Sequence, residues 1–152
     1  EMGGSEYLAL RGKLGVNAPR VDTRAARARY ERLADAIAAG MVASCHDCSD
    51  GGLAVALAES AFAGGYGMDL DIAPLGIEQD AVTLFSESQS RFVATVPPDR
   101  EAAFAAHMEG TGVWRLGVVT AEPMLRIACR NGRRIEAALA ELKEAWQKPL
   151  QW

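Results

Sequence analysis

Hydrophobic positions in this chain recur every three to four residues in some segments and every second residue in others. Over residues 23–39 the helical spacing predicts a helix that Asp22 caps and Gly40 stops. A second helix is predicted over residues 52–63, and because it is apolar nearly all round we expect it to be buried on several sides. Alternation over residues 67–72 predicts a strand. The apolar stripe of the first helix consists of Ala26, Tyr30, Leu33, Ala34 and Ile37.

Shorter segments complete the predicted fold. Strands are predicted over residues 41–45, 91–96 and 113–119, with a hairpin over 124–130 and 133–135 turning at Asn131-Gly132. The first of these strands is apolar, so we expect it to be buried. Further helices are predicted over residues 78–85, 99–108 and 136–146. This order implies an α/β (α+β) fold with a mixed β-sheet sandwiched with helices. We assign residues 1–21 to an N-terminal lead-in segment and residues 22–152 to a single domain.

The composition is typical of one globular domain of 152 residues, with 49% hydrophobic and 24% charged residues. A net charge of −4 argues against a nucleic-acid surface, and no apolar run is long enough to span a membrane. Three cysteines and no secretory leader favour a reducing, cytoplasmic setting. Cys45 and Cys48 have the spacing of a redox pair or half a zinc site, but with no second pair we favour ordinary buried or half-buried thiols. The start at Glu1 favours a piece of a longer protein.

The first candidate site is the loop between the strand at residues 41–45 and the helix at 52–63. Gly51 and Gly52 allow close backbone approach, and the free N–H groups of the helix start can bind an anion. Ser49 can donate a hydroxyl to a phosphate, whereas Asp47 and Asp50 would repel a bare one unless a cation intervenes. In the alternative interpretation, Ser49 or Asp50 simply caps a buried helix. Both interpretations stay open.

The histidine of this loop also has two interpretations. His46 next to an aspartate could carry a proton, but a hydrogen-bonded structural role is favoured.

The second candidate site is the polar run at residues 86–91, directly before a predicted strand. Its alternative is a solvated turn in which Arg91 pairs with a surface carboxylate.

Three segments resemble motifs of one family: GGSEY at residues 3–7, HDCSDGGLAVALAE at residues 46–59 and LFSESQSR at residues 84–91. They are similar to segments of the synthetase subunit of phosphoribosylformylglycinamidine synthase, within the aminoimidazole ribonucleotide synthetase superfamily. Their order brackets the chain, and the GGL form resembles the last domain of the family's two-fold repeated protein. Cys48 departs from the pattern, because an apolar residue is usual there, which argues further against a required C-x-x-C pair.

The resemblance implies the fold of the carboxy-terminal domain of aminoimidazole ribonucleotide synthetase and a role in a purine-biosynthesis ligase. In that reaction formylglycinamide ribonucleotide, ATP and ammonia give formylglycinamidine ribonucleotide, ADP and phosphate. ATP and Mg²⁺ would serve the full-length enzyme, and we expect no tightly bound cofactor on this piece. The implied partners are the amino-terminal domains of the same chain, a glutaminase and small accessory subunits. No partner is expected among nucleic acids or membranes.

The resemblance also implies roles for individual residues. The catalytic histidine and the metal ligands would lie on the amino-terminal domains, so we expect neither catalytic residues nor a metal site here. The alternatives are the corresponding domain of a selenophosphate synthetase or thiamine-monophosphate kinase type of enzyme, and a stand-alone binding module. The expected contacts are Ser49, Asp50, Gly51 and Gly52 for a phosphate or nucleotide, His46 and Asp47 in support, and Glu87, Ser88, Gln89 and Arg91 for a substrate or auxiliary nucleotide.

Overall fold

The structure, a computed structural model, describes residues 1–150 as a mixed α and β fold, which confirms the predicted fold class. The helices are α1 (Glu6–Ala9), α2 (Thr23–Ala38), α3 (Gly52–Gly64), α4 (Asp80–Phe85), α5 (Glu101–His107) and α6 (Leu139–Gln147). The strands are β1 (Ser44–Asp47), β2 (Gly67–Asp71), β3 (Phe92–Thr95), β4 (Gly117–Thr120), β5 (Met124–Ala128) and β6 (Arg134–Ala138). Short 3₁₀ turns span Ala73–Leu75, Pro98–Arg100 and Lys148–Leu150.

The strands form two sheets, where the sequence predicted one. A four-stranded sheet has the order β4-β2-β5-β6 and is mixed, because β2 runs parallel to β5 and antiparallel to β4. Strands β1 and β3 form a separate antiparallel pair, from Ser44 opposite Thr95 to Asp47 opposite Phe92. The order of elements indicates which segments are strands, but strand partners depend on long-range packing that the order does not encode.

Helix α3 forms the centre of the larger core. Its residues Leu53, Ala56, Leu57 and Ala61 are buried against β2, β5 and α6, and Leu57 is 1% exposed. The helix also contacts α4 and both strands of the smaller sheet, so nearly every side of it meets protein. The prediction of a helix buried on several sides is therefore confirmed.

Helix α2 packs on a second, smaller core. Its side chains Leu33 and Ala36 are buried with Phe104 and Met108 of the α5 region, under the smaller sheet. Asp22 caps the helix as predicted, because its carboxylate accepts hydrogen bonds of 3.0 Å from the backbone N–H groups of two residues in the first turn. The predicted stripe is only partly buried: Tyr30 and Ile37 are about half exposed.

Several element boundaries differ from the prediction. Strand β1 begins at Ser44 and is largely exposed, while the apolar residues Met41 and Val42 precede it and pack on the smaller core. The hairpin strand β6 extends to Ala138, because it pairs with β5 as far as Met124, so α6 begins later than predicted. Strand β4 likewise begins later than predicted, at residue 117, because residues 113–116 form no regular structure. Helix α1 was not predicted.

Within residues 1–150, no helix combines the length and apolar character needed to cross a bilayer.

Candidate functional site

An open cleft of about 470 Å³ lies where the smaller sheet ends. Strand β1 leaves the sheet at Asp47 directly opposite Phe92, where β3 enters it, so antiparallel pairing brings the two predicted polar segments together. The N–H of Cys48 donates to the carbonyl of Arg91 at 3.0 Å and extends this pairing into the cleft. The lining consists of Gly3, Gly4, Pro19, Tyr30, Asp47, Cys48, Ser49, Asp50, Glu87, Ser88, Gln89, Ser90, Arg91 and Phe92.

The cleft includes most of the predicted contacts but not all of them. Seven of the predicted residues line it, whereas His46, Gly51 and Gly52 do not. Sequence reasoning missed the contribution of residues 3 and 4, which were noted only for the family resemblance, and of Tyr30, which was assigned to an apolar stripe. The two consecutive glycines, in a segment that resembles a family motif, are the feature that could have indicated the contribution of residues 3 and 4.

The carboxylate of Glu87 joins two helix starts. Its Oε1 accepts the backbone N–H of Glu6 at 2.9 Å and that of Gly51 at 3.0 Å. The N–H of Gly52 donates to the carbonyl of Ser49 at 3.0 Å. Two N–H groups that the sequence offered to an anion are therefore already bonded to oxygens of the chain itself. Helix dipoles favour negative charge at their starts, and Glu87 supplies it at both.

The capping interpretation of this loop is wrong. Gly51 is the N-cap residue of α3, and the helix start receives no hydrogen bond from a capping side chain. The hydroxyl of Ser49 donates to the carboxylate of Asp47 instead, and this bond lowers the pKa of Asp47. A left-handed backbone at Gly51, with φ of 75°, turns the loop so that its N–H faces Glu87 rather than a side chain of its own loop.

Arg91 holds the second polar segment in shape. Its guanidinium donates to the carbonyls of Ser88 at 3.3 Å, Thr83 at 3.4 Å and Ser86. The predicted alternative, pairing with a surface carboxylate, is not what the side chain does. Burial lowers the pKa of Arg91, yet a guanidinium stays charged at neutral pH. The residue therefore positions the segment and places positive charge beside the cleft.

Helix α2 fixes the other end of the same segment. The guanidinium of Arg29 donates to the carbonyl of Ser90 at 3.0 Å, and the hydroxyl groups of Tyr30 and Ser90 are 2.7 Å apart. Ser90 has a φ of 64°, a conformation that costs a non-glycine residue energy and persists only where its surroundings enforce it. The segment is thus a built wall of the cleft and not a freely solvated turn.

His46 lies between two carboxylates and does not line the cleft. Its Nδ1 is 3.4 Å from Oδ1 of Asp47, and its Nε2 is 3.0 Å from Oε2 of Glu59. Glu59 also accepts the indole N–H of Trp146 at 2.7 Å. Each ring nitrogen of the imidazole therefore lies within 4 Å of a carboxylate oxygen.

The cysteines are free thiols in different surroundings. Cys48 is buried, and its burial raises the pKa of its thiol to about 11, so the group is protonated at neutral pH. Cys45 is exposed, which corrects the expectation that the thiols are buried or half-buried. Cys129 is half-buried. Among residues 1–150, no three His, Cys, Asp or Glu side chains are grouped so that they could hold a metal ion.

Removing the Glu87 carboxylate should loosen the join between the two helix starts. We expect Glu87→Ala to lower the free energy of unfolding by about 1–2 kcal/mol, because two backbone N–H groups lose a charged acceptor. Glu87→Gln keeps an acceptor oxygen and should lose about half as much. Urea denaturation of the chain measures both, and the exposed Glu78→Ala serves as the matched control. Equal stability of Glu87→Ala and Glu78→Ala would show that the join contributes nothing.

Comparison with known proteins gives a consistent picture. The chain is 41% identical over 99% of its length to phosphoribosylformylglycinamidine synthase subunit PurL of Thermobifida fusca, of which it spans 19%. The structure of PurLQS from Thermotoga maritima matches 93% of the chain with 24% of its own, at a TM-score of 0.72 and 21% identity. T. maritima PurL complexed with ATP and with FGAR matches 76% and 84% of the chain, with 21% and 23% of its own, at TM-scores of 0.66 and 0.69 and identities of 21% and 22%.

The solved structures share the fold of this chain, and the T. fusca relative shares its sequence over nearly all of it. The profile of one domain family matches residues 1–130, which include every residue that lines the cleft. The chain spans only about a fifth of the relative's length, so the match is to one domain of a longer protein. The chain belongs to the family of AIR synthase related proteins, as their C-terminal domain.

Proposed function

We propose that this chain is the last domain of a phosphoribosylformylglycinamidine synthase synthetase subunit, an ATP-dependent ligase of de novo purine biosynthesis. We further propose that its cleft forms one wall of a pocket for a phosphorylated ligand, either the ribonucleotide substrate or a nucleotide. The observation that carries the proposal is the cleft itself, in which the polar residues of the HDCSDGG and SESQSR segments face one another. The 41% identity to PurL of T. fusca supports the choice of enzyme.

The reaction in question is amide activation. ATP phosphorylates the amide oxygen of formylglycinamide ribonucleotide, ammonia attacks the resulting imidate carbon, and phosphate leaves. In our proposal this chain binds and orients, while the amino-terminal domains of the parent protein supply the catalytic groups. The ammonia would come from a separate glutaminase subunit in the cytoplasm. The assignment of residues 1–21 as a lead-in and of 22–152 as one domain stays a prediction.

The cleft offers neutral donors to a phosphorylated ligand. Ser88 and Gln89 lie on its wall with uncharged polar groups, and Arg91 adds positive charge close by. Ser49 donates its single proton to Asp47, so a contact of Ser49 with a phosphate requires that bond to be exchanged. The carboxylates of Asp47 and Asp50 repel a phosphate, and a cation from a neighbouring domain has to offset them.

Magnesium is implied by the family, but the described residues do not form a set that would hold it. We therefore assign no step of the reaction to a metal held by this chain. The carboxylates of the cleft would instead act on the ligand through charge and through the orientation of neighbouring hydroxyl groups.

The decisive experiment is Gln89→Ala in the full-length parent protein, with product formation measured from formylglycinamide ribonucleotide, ATP, Mg²⁺ and ammonium. We expect kcat/KM for one of the two ligands to fall about 10- to 100-fold, because a hydrogen bond to a charged group contributes about 1.5–3 kcal/mol. Gln79→Ala is the matched control, since Gln79 is exposed outside the cleft.

Two results would contradict the proposal. The first is wild-type kcat/KM of Gln89→Ala for both ligands, which would remove the cleft from the reaction. The second is product formation by the isolated chain, which would show that the catalytic groups do not lie on other domains.

A further inference from the structure

A continuous chain of polar contacts runs from the cleft to the last helix. The hydroxyl of Ser49 donates to Asp47, Asp47 contacts His46 at 3.4 Å, and His46 contacts Glu59 at 3.0 Å. Glu59 accepts the indole N–H of Trp146 at 2.7 Å. These five residues, which we call the relay, lie on β1, on the loop between β1 and α3, on α3 and on α6. Its first two members line the cleft, and its last member lies on α6.

The three inner members of the relay, Asp47, His46 and Glu59, each have a partner on two sides. Both carboxylate oxygens of Glu59 are used, one by His46 and one by Trp146, and the Glu59 side chain is 24% exposed. The ring of Trp146 also packs on Phe62 of α3, with the ring centroids 5.7 Å apart. Trp146 of α6 therefore contacts α3 twice, through a hydrogen bond to Glu59 and through its aromatic contact with Phe62.

The orientation of Asp47 matters for an anionic ligand. Asp47 lines the cleft, yet each of its oxygens has a partner in the chain, because one lies 3.4 Å from Nδ1 of His46 and the other accepts from Ser49. Release of His46 would leave the Asp47 side chain, which is 58% exposed, free to rotate towards a bound phosphate. The repulsion that Asp47 already exerts on a phosphate would then increase and weaken ligand binding.

We propose that His46 and Glu59 are positioning residues that couple the docking of α6 to the affinity of the cleft for its ligand. Trp146 is the distal end of this coupling, and Asp47 with Ser49 is its end in the cleft. The proposal rests on the proposed function, because it takes the ligand to be the one that the cleft binds. Helix α6 lies outside residues 1–130, so the coupling adds a part of the chain that the family match does not include.

The test uses Trp146→Phe in the full-length parent protein, which removes the indole N–H and keeps an aromatic ring. We expect KM for the cleft's ligand to rise about 5-fold, with kcat within about two-fold of wild type. A merely structural role would lower the fraction of active enzyme and hence kcat, without a change in KM. Trp114→Phe is the matched control, because Trp114 is a similarly exposed indole outside the relay.

Coupling is reciprocal, so the ligand must also act on the helix. Saturating ATP or formylglycinamide ribonucleotide, whichever has the raised KM, should change the tryptophan emission of the wild type, and Trp146→Phe should lose that change. Glu59→Gln keeps an acceptor for the indole but weakens the contact with His46, so it should raise KM by a similar factor while α6 stays docked. This second variant carries the test if Trp146→Phe proves unfolded in a thermal melt.

The outcomes separate the two proposals. A raised KM in Gln89→Ala, with wild-type KM in both Trp146→Phe and Glu59→Gln, would overturn the coupling and leave the cleft assignment intact. Wild-type kinetics in Gln89→Ala would overturn the cleft assignment, and the coupling with it. Raised KM values in all three variants support both.

Discussion

Replacing Gly52 with alanine is expected to lower the free energy of unfolding by about 3 kcal/mol or more. The residue has a φ of +67°, and an added Cβ would lie 2.4 Å from the carbonyl oxygen of Ser86 and 3.0 Å from that of Leu84. Both neighbours are backbone atoms, so relief requires the end of α4 and the residue after it to move. Strained backbone and overpacking therefore act together.

Gly65→Ala is the matched control for this measurement. Gly65 ends the same helix with a similar φ of +74°, but an added Cβ meets nothing within 4 Å. The control should lose only about 1–2 kcal/mol, the cost of a left-handed backbone in a residue with a side chain. Urea denaturation followed by circular dichroism compares the two. Equal losses would mean that the crowding at Gly52 is absent in solution.

The second large effect is expected at Leu57. Leu57→Asp should lower the free energy of unfolding by about 4–5 kcal/mol or abolish cooperative unfolding, because it places an unpaired charge where the leucine is 1% exposed. The helix α3 would also lose its contacts with the larger core. A thermal melt of the chain, with its cooperativity and midpoint, is the measurement.

Leu14→Asp makes the same chemical change on the surface. Leu14 is 77% exposed, so the midpoint of this variant should stay within a few degrees of wild type. If Leu57→Asp melted cooperatively at the wild-type midpoint, α3 would not be the centre of the core.

The elements that could be predicted are those whose signals lie within a few residues. Three such local signals are Asp22 before the α2 stripe, the glycines after α3 and the Asn131-Gly132 turn. The structure confirms the helices and the hairpin that these signals delimit. Strand pairing is not local, so the division into two sheets was missed. The exposure of β1 was missed for the same reason, because the residues that cover or uncover a strand come from elsewhere in the chain.

The candidate site shows the same division between local and distant information. Its two polar segments could be chosen from their residue types, and antiparallel pairing of β1 and β3 then places them together. The carboxylate that meets the start of α3 could not be chosen, because Glu87 lies 36 residues from Gly51 in the chain. Local spacing offered Ser49 or Asp50 as a cap, whereas in the folded chain the N–H of Gly51 donates to a carboxylate from a distant segment.

The Glu87 carboxylate ties together three short stretches that are far apart in the chain: residues 3–7, 46–52 and 84–91. A mutation that removed this carboxylate would leave two backbone N–H groups without their acceptor, one in each of the other two stretches. A change in the turn at Gly51 would in the same way deprive the carboxylate of one of its partners. Because both partners are backbone N–H groups, the join depends on the side chain at position 87 and on the backbone path of the other two stretches, and a chimera between relatives has to preserve that path.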